Sequence, residues 1–343
     1  MAYCPRCRRS VFKDGPGELR NSEIGPITKA TAVYLRYGLR ITYRQVQKLF
    51  LDVFNMSFSP TTAMAFDRTA TQKGLPLYED LKAKIRQAQQ IYADETYWRQ
   101  NGKNGNVWYA GNEDLAVFHI AMSRASSEAI ALLGDHFSGS LVTDGYAAYL
   151  ATNPKNHQTC LAHLIRQARE ILEEQQLLPT DRQDRHVQRF CQALKELLQK
   201  ACHIAQLRNR GQRSQRSTQA MLRQFNNAIG IITAGPKLNH KKAENLRQRI
   251  MKPERDFHRL FTFLKEPGLG ATNNHAEQTL RTPVIFRKLC FGTRTEAGSL
   301  SHSVLPSLLV TATRQGNHPL DFFHALFTQD TATAQDALYH DSS

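Results

Sequence analysis

Three acids are the residues of this chain best suited to chemistry. They are Asp94 in Ile91-Tyr-Ala-Asp-Glu-Thr, Asp144 in Ser140-Leu-Val-Thr-Asp-Gly-Tyr, and Glu277 in Thr272-Asn-Asn-His-Ala-Glu. Two stand at the ends of predicted strands and the third on a predicted helix. Carboxylates gathered in one place need something to offset their repulsion, and a divalent metal is the usual answer. The chemistry that calls for such a set is in-line displacement at a phosphodiester, where attacking and leaving oxygens both carry charge. Two Mg²⁺ (or Mn²⁺) ions roughly 4 Å apart clamp those oxygens. Mg²⁺ favours carboxylate oxygens and keeps several waters, so three acids suffice. Alternation along Tyr92-Ala93-Asp94-Glu95 sends Asp94 and Glu95 to opposite faces, so only one of them is expected in the cluster.

Composition narrows the partner. The 343 residues carry 45 Lys+Arg against 30 Asp+Glu, a formal charge of +15. Such a surplus favours a polyanion, because each neutralised phosphate releases condensed counterions. No segment approaches the roughly 20 apolar residues of a spanning helix, and the N-terminus lacks a signal peptide's apolar core. The six cysteines form no disulfide-like framework, which suits a reducing cytoplasm. Cys4-Pro-Arg-Cys7 supplies half the ligands of a zinc ribbon, and a closed site needs four. It reads either as a truncated ribbon with reduced thiols or as zinc completed by a distant residue or another chain.

The elements that must position the acids follow from periodicity. Residues 26–80 read as helices: Ile27, Ala30, Val33, Tyr34 and Tyr37 recur at helical spacing before Gly38, a second helix starts at Tyr43, and Ser59-Pro60 opens a third. Two short helices around a tight turn suit a helix-turn-helix on DNA. A charged connecting helix spans Leu81 to Gln90. Strands are then predicted at Gln90–Asp94, Asn106–Ala110, Leu115–Ala121, Ser140–Asp144 and His157–Cys160. Asn101-Gly102, Asn104-Gly105 and Gly111-Asn112 act as hairpin signals, and Ser126–Leu133 as a helix. This layout, residues 88–178 with 266–330, predicts an α/β fold: a ribonuclease-H-like mixed five-stranded sheet whose first and fourth strands are parallel neighbours.

Residues 179–265 read as a basic α-helical insertion. Between Leu207 and Lys252 eleven Lys/Arg face only Glu244, so Arg208, Arg210, Arg213, Arg216, Lys241 and Lys242 are predicted DNA contacts, with Asn209–Gln219 a mobile loop. Thr272 or Asn273 caps the helix bearing Glu277, which Pro283 ends or kinks. Arg281, Arg287 and Lys288 follow as phosphate contacts. A last amphipathic helix spans about Ser299 to Arg314, and 331–343 form a tail.

From about Ile27 to Leu326 the chain resembles the DDE-type bacterial insertion-sequence transposases, in the group named for insertion sequence sixty-six. The resemblance rests on Tyr43-Arg-Gln-Val, Ser59-Pro60, Ala93-Asp-Glu-Thr-Tyr-Trp98, Thr143-Asp-Gly-Tyr-Ala-Ala-Tyr149, Cys160-Leu-Ala-His-Leu-Ile-Arg166, Asn273-Asn-His-Ala-Glu277 and Arg287-Lys-Leu-Cys-Phe-Gly292, in that order. It implies that Asp94, Asp144 and Glu277 are a metal-binding catalytic triad. It further implies cleavage at element ends, strand transfer into target DNA, and location at a bacterial nucleoid. A homo-oligomer on double-stranded DNA and companion proteins of the same element are also implied. Cys160 and His163 form a pair similar to one found beyond the second acid in several DDE groups. A packed Cys with a hydrogen-bonded His is the alternative. Gln278 stands where family members often carry Arg, and the N-terminal ribbon begins at its second half. A catalytically impaired relic that binds DNA is therefore the alternative function, and a junction resolvase on the same fold a third.

Overall fold

The computed structural model describes residues 2–11, 22–252 and 256–339; parts of the N-terminal segment 1–25 and of the expected tail lie outside them. β1 (Ala2–Cys4) pairs antiparallel with β2 (Arg9–Val11), and the turn between them leads from Cys4 to Cys7. Helix α1 (Pro26–Tyr37) opens on proline and stops at Gly38, as its spacing predicts. Its buried face is Ala30, Val33 and Tyr37, but Ile27 points to solvent. Helix α2 (Tyr43–Phe54) is held by a Thr42–Gln45 capping box and ends on left-handed Asn55. Helix α3 (Pro60–Gln87) begins at the predicted Ser59 cap but runs on through Pro76, so no separate helix starts at Leu81. Leu77, Tyr78, Leu81 and Ile85 extend the buried face begun by Ala63, Phe66 and Ala70. Burial of that face outweighs the hydrogen bond the proline removes.

The sheet comprises β3 (Gln90–Gln100), β4 (Lys103–Gly111), β5 (Ala116–Ala121), then helix α4 (Ser126–Leu133), β6 (Ser140–Thr143) and β7 (Asn156–Thr159). Its order is β5-β4-β3-β6-β7. The β3–β4 and β4–β5 pairs are antiparallel, and β3–β6 and β6–β7 are parallel. Asn101 and Gly102 both take positive φ and make the first hairpin turn. Asn104-Gly105 does not turn: it lies in β4, paired with Arg99 and Trp98.

Both sheet edges are covered, which removes the unpaired backbone groups that would otherwise recruit another strand. At the β5 edge, Ser303, Ser307 and Thr311 present hydroxyls one helical turn apart. They accept the N–H groups of Ile120, Phe118 and Ala116 at 3.0, 2.8 and 3.1 Å. At the β7 edge, Thr262 Oγ1 donates to the His157 carbonyl at 2.6 Å, and the Gln158 side chain donates to Leu260 O at 2.9 Å and accepts from Phe263 N at 3.0 Å.

Helices α5 (Leu161–Gln176), α6 (Arg185–Asn209), α7 (Gln215–Ala220), α8 (Leu222–Thr233) and α9 (Lys241–Met251) follow. They build a second apolar cluster around Leu164, Leu194, Leu198, Phe225 and Ile250. The predicted loop at Asn209–Gln219 shrinks to a short turn between α6 and α7. Helix α10 (Asn274–Cys290) runs through Pro283 rather than ending there. Helices α11 (Glu296–Arg314), α12 (Pro319–Thr328) and α13 (Thr331–Asp336) complete the chain. The last segment is docked: Tyr339 Oη donates to Asp80 at 2.8 Å, and Leu338 is buried. One apolar cluster joins α1, α3, the sheet, α11 and α12.

His302 on α11 lies buried among Tyr37, Trp98 and Phe286. Burial, with nearby Arg36, drives its pKa down to about 3. An unfolded His titrates near 6.5, so folding holds this ring neutral and its contribution is lost as pH falls from about 6.5 toward 3. Buried Asp67 has the opposite sign. Burial raises its pKa to about 7, against hydrogen bonding by Tyr43, so its contribution is lost as pH rises through 7. Comparing His302→Phe with the native chain isolates the histidine. Between pH 6 and 4 the native protein should lose about 1.4 kcal/mol more per pH unit in urea unfolding; equal slopes would contradict this. Ser307→Ala should cost about 1–3 kcal/mol, because it strands the Phe118 N–H in the interior, and an unchanged urea midpoint would refute the edge-covering role.

Candidate functional site

The last residues that β3 and β6 pair are Tyr92 and Val142. Two residues further along each chain stand Asp94 and Asp144, so both carboxylates leave the same end of a parallel pair. One oxygen of each is fixed by the backbone: Asp94 Oδ1 accepts Glu95 N at 2.9 Å, and Asp144 Oδ1 accepts Tyr146 N at 2.8 Å. Gly145, at φ +84°, makes the turn behind Asp144, where a Cβ would lie 2.2 Å from Arg249 Nη2. Arg249, from the helical insertion, donates to the Asp144 carbonyl at 2.9 Å and pairs with buried Asp256.

Glu95 joins the two aspartates, contrary to the expectation from strand alternation. Ligand oxygens of Asp94, Glu95 and Asp144 all lie within 4.8 Å of one another. β6 pairs β3 no further than Tyr92, and the longer Glu side chain, held by Arg124 and Tyr149, brings its oxygens beside the two aspartates. Both Glu95 oxygens are engaged, Oε1 by Arg124 Nη2 at 2.5 Å and Oε2 by Tyr149 Oη at 2.9 Å. Burial raises its pKa, opposed by Arg124. Asp94 is pushed up to about 8, first by burial, then by the charges of Asp144 and Glu95, with Glu277 adding to them.

Glu277 stands on the first turn of α10, as predicted, but the tight carboxylate group does not include it. It clusters instead with Cys160 and His163. His163 Nδ1 and Arg166 Nη2 lie 3.6 and 3.7 Å from its two oxygens. The start of α10 is tied to β3 by Asn273, whose Nδ2 donates to Ala93 O at 2.9 Å instead of capping its own helix. The Asn273 N–H donates to buried Cys160 Sγ at 3.1 Å, so Cys160 packs as the structural alternative requires. His163 does not: its Nδ1 is buried without a hydrogen-bond partner, and so is Glu277 Oε1.

These observations fit a divalent cation. The carboxylates of Asp94 and Asp144, with Glu95 held beside them and the Asp94 pKa raised, form a hard-ligand set suited to Mg²⁺ or Mn²⁺. The orphaned Glu277 oxygen faces a softer set with His163 and Cys160, of the kind zinc accepts. Cys4 and Cys7 belong to no group of three possible metal ligands among the described residues. Backbone and side-chain hydrogen bonds within the turn, chiefly from Cys7, lower the Cys4 pKa.

Of the predicted DNA contacts, Arg208 is corrected. It is buried, and its guanidinium donates to the carbonyls of Phe263, Glu266 and Leu269, locking α6 to the segment before α10. Sequence charge alone does not distinguish such a clamp from a solvated arginine. Arg210, Arg216, Lys241, Lys242, Arg281 and Lys288 are exposed, and Arg213 and Arg287 half-buried. Lys242 pairs with Glu174, and Arg287 donates to Tyr97 O. No local pattern in the sequence marks Arg124, Tyr149 or Arg249 as neighbours of the acids, and alternation set Glu95 apart from them; Arg166, three residues after His163 on α5, was legible as sharing its face.

No helix of the described residues is long and apolar enough to cross a membrane. The search of curated proteins finds no match. The family model described as Transposase IS66 family matches residues 21–300, most of the chain and every acid of the site. The chain belongs to the IS66 family of transposases.

Proposed function

We propose that the chain is a DDE-type transposase with a ribonuclease-H-like core, and that Asp94, Asp144 and Glu277 are its metal-binding acids. The observation that carries the reading is the meeting of Asp94 and Asp144 at one end of the β3–β6 pair, within electrostatic reach of Glu277. The strand order and the insertion between β7 and α10 support the fold assignment. Bound divalent ions would polarise a phosphodiester and help deprotonate the attacking water or 3′-hydroxyl.

The protein's own groups prepare that site. Backbone N–H groups fix one oxygen on each aspartate, leaving the other for a ligand. Arg124 and Tyr149 hold Glu95 in place, so its charge acts as a fixed neighbour rather than a free ligand. Arg166 sets a cation beside Glu277, where a phosphate oxygen would carry negative charge. Exposed Arg281 and Lys288, and the basic face of residues 179–265, would track the DNA backbone, with α2 and α3 as the helix-turn-helix part. Joining two DNA ends requires two such sites, hence at least a dimer.

Asp94→Asn should lower Mg²⁺-dependent nicking of element-end duplexes at least about a thousandfold, the loss of several kcal/mol of transition-state stabilisation. DNA affinity, read by fluorescence anisotropy, should be retained. Retained cleavage by Asp94→Asn would contradict the assignment, and DNA binding without cleavage by the native chain would favour an impaired relic.

A further inference from the structure

The C-terminal end of α10 carries an aromatic ring that neither folding nor burial explains. Phe291 is 80% exposed, the highest exposure of any aromatic residue among those described. It also takes φ +60° and ψ 14°, the left-handed conformation at a helix end that glycine or asparagine adopts at least cost. A bulky apolar residue there is unfavourable on both counts.

The backbone that carries the ring is nonetheless held tightly. Gly292, at φ +106°, brings the chain so close to β3 that a Cβ would lie 2.1 Å from Arg99 O. Thr293 then binds the β3 end on both sides, its N–H donating to Arg99 O at 2.9 Å and its carbonyl accepting from Asn101 N at 2.8 Å. Trp98 Nε1 donates to Thr293 Oγ1 at 3.2 Å. The tip is therefore clamped to the strand that carries Asp94.

Its surroundings are basic. Between Glu277 and Glu296 the chain carries Arg281, Arg287, Lys288 and Arg294 and no acid. Arg287 and Arg99 both lie over the Tyr97 ring, at 5.2 and 5.8 Å. Helix α10 and strand β3 pack together and both run from the acids to this tip. At 1.5 Å per residue the ring lies roughly 20 Å from Glu277, about six base steps of B-DNA. A positive track ending in an exposed ring on a clamped backbone matches the way proteins wedge apolar side chains between base steps or stack on unpaired bases.

We infer that Phe291 is a base-stacking wedge that engages duplex DNA away from the reacting phosphate while α10 and β3 hold the backbone between them. The inference rests on the DNA-acting reading above. Replacing Phe291 by Ala or by Asn should weaken binding of a mixed-sequence duplex about tenfold in anisotropy titrations. Phe291→Asn should at the same time raise Tm, since asparagine suits the left-handed position. In Phe291→Trp the new indole should be quenched by saturating duplex, and Trp98 and Trp108, both buried, contribute little background change. Native-like affinity in Phe291→Ala and Phe291→Asn, or an unquenched indole at saturation, would overturn the wedge and leave the site reading intact. A native chain that binds no duplex would overturn both.

Discussion

Electrostatic repulsion among half-buried carboxylates is the constraint around which this molecule is arranged. Asp94, Glu95 and Asp144 are drawn within 4.8 Å of one another on a chain where acids are outnumbered. The fold offsets this from separate regions: Arg124, from the segment after β5, pairs with Glu95, and Arg166, from α5, stands 3.7 Å from Glu277. Arg249, from the insertion, holds the Asp144 carbonyl while its charge is paired with Asp256. Compensation stays incomplete at Asp94, whose pKa rises to about 8, and a site left short of positive charge has a use for a cation.

The rest of the architecture makes that arrangement hold. The hydroxyl ladder of α11 seals the β5 edge, Thr262 and the Gln158 side chain hold the 260–263 segment against β7, and β6 ends its pairing with β3 just before Asp94. Asn273 ties α10 to β3 at that point, while Gly292 and Thr293 tie its far end to the same strand. One helix is thereby registered against one strand at two points, which fixes Glu277 relative to Asp94.

Much of this was legible in the sequence, because the signals were local. β-branched runs gave the strands, Asn101-Gly102 the hairpin, and the shared placement of Asp94 and Asp144 followed from strand order. What stayed hidden depended on tertiary context. Pro283 read as an end or kink and Leu81 as the start of a separate helix, yet the buried faces of α3 and α10 carry both helices through Pro76 and Pro283. Glu95 was excluded by strand alternation, which fixes the direction in which a side chain leaves the backbone but not how far a longer one reaches. Arg208 looked like a DNA contact because charge carries no information about which carbonyls lie nearby. The apolar cluster that α1 and α3 share with the sheet likewise rests on contacts between distant segments.

The central claim is that Asp94 and Asp144 jointly ligate a divalent ion with Glu277 completing the site. Anomalous diffraction from crystals of the native chain soaked in Mn²⁺ tests it most directly. The account predicts a manganese peak about 2.2 Å from an oxygen of each aspartate, with Glu277 in the coordination shell of that ion or of a second one beside it. Manganese found only among Cys160, His163 and Glu277, or none near the aspartates at saturation, would contradict it.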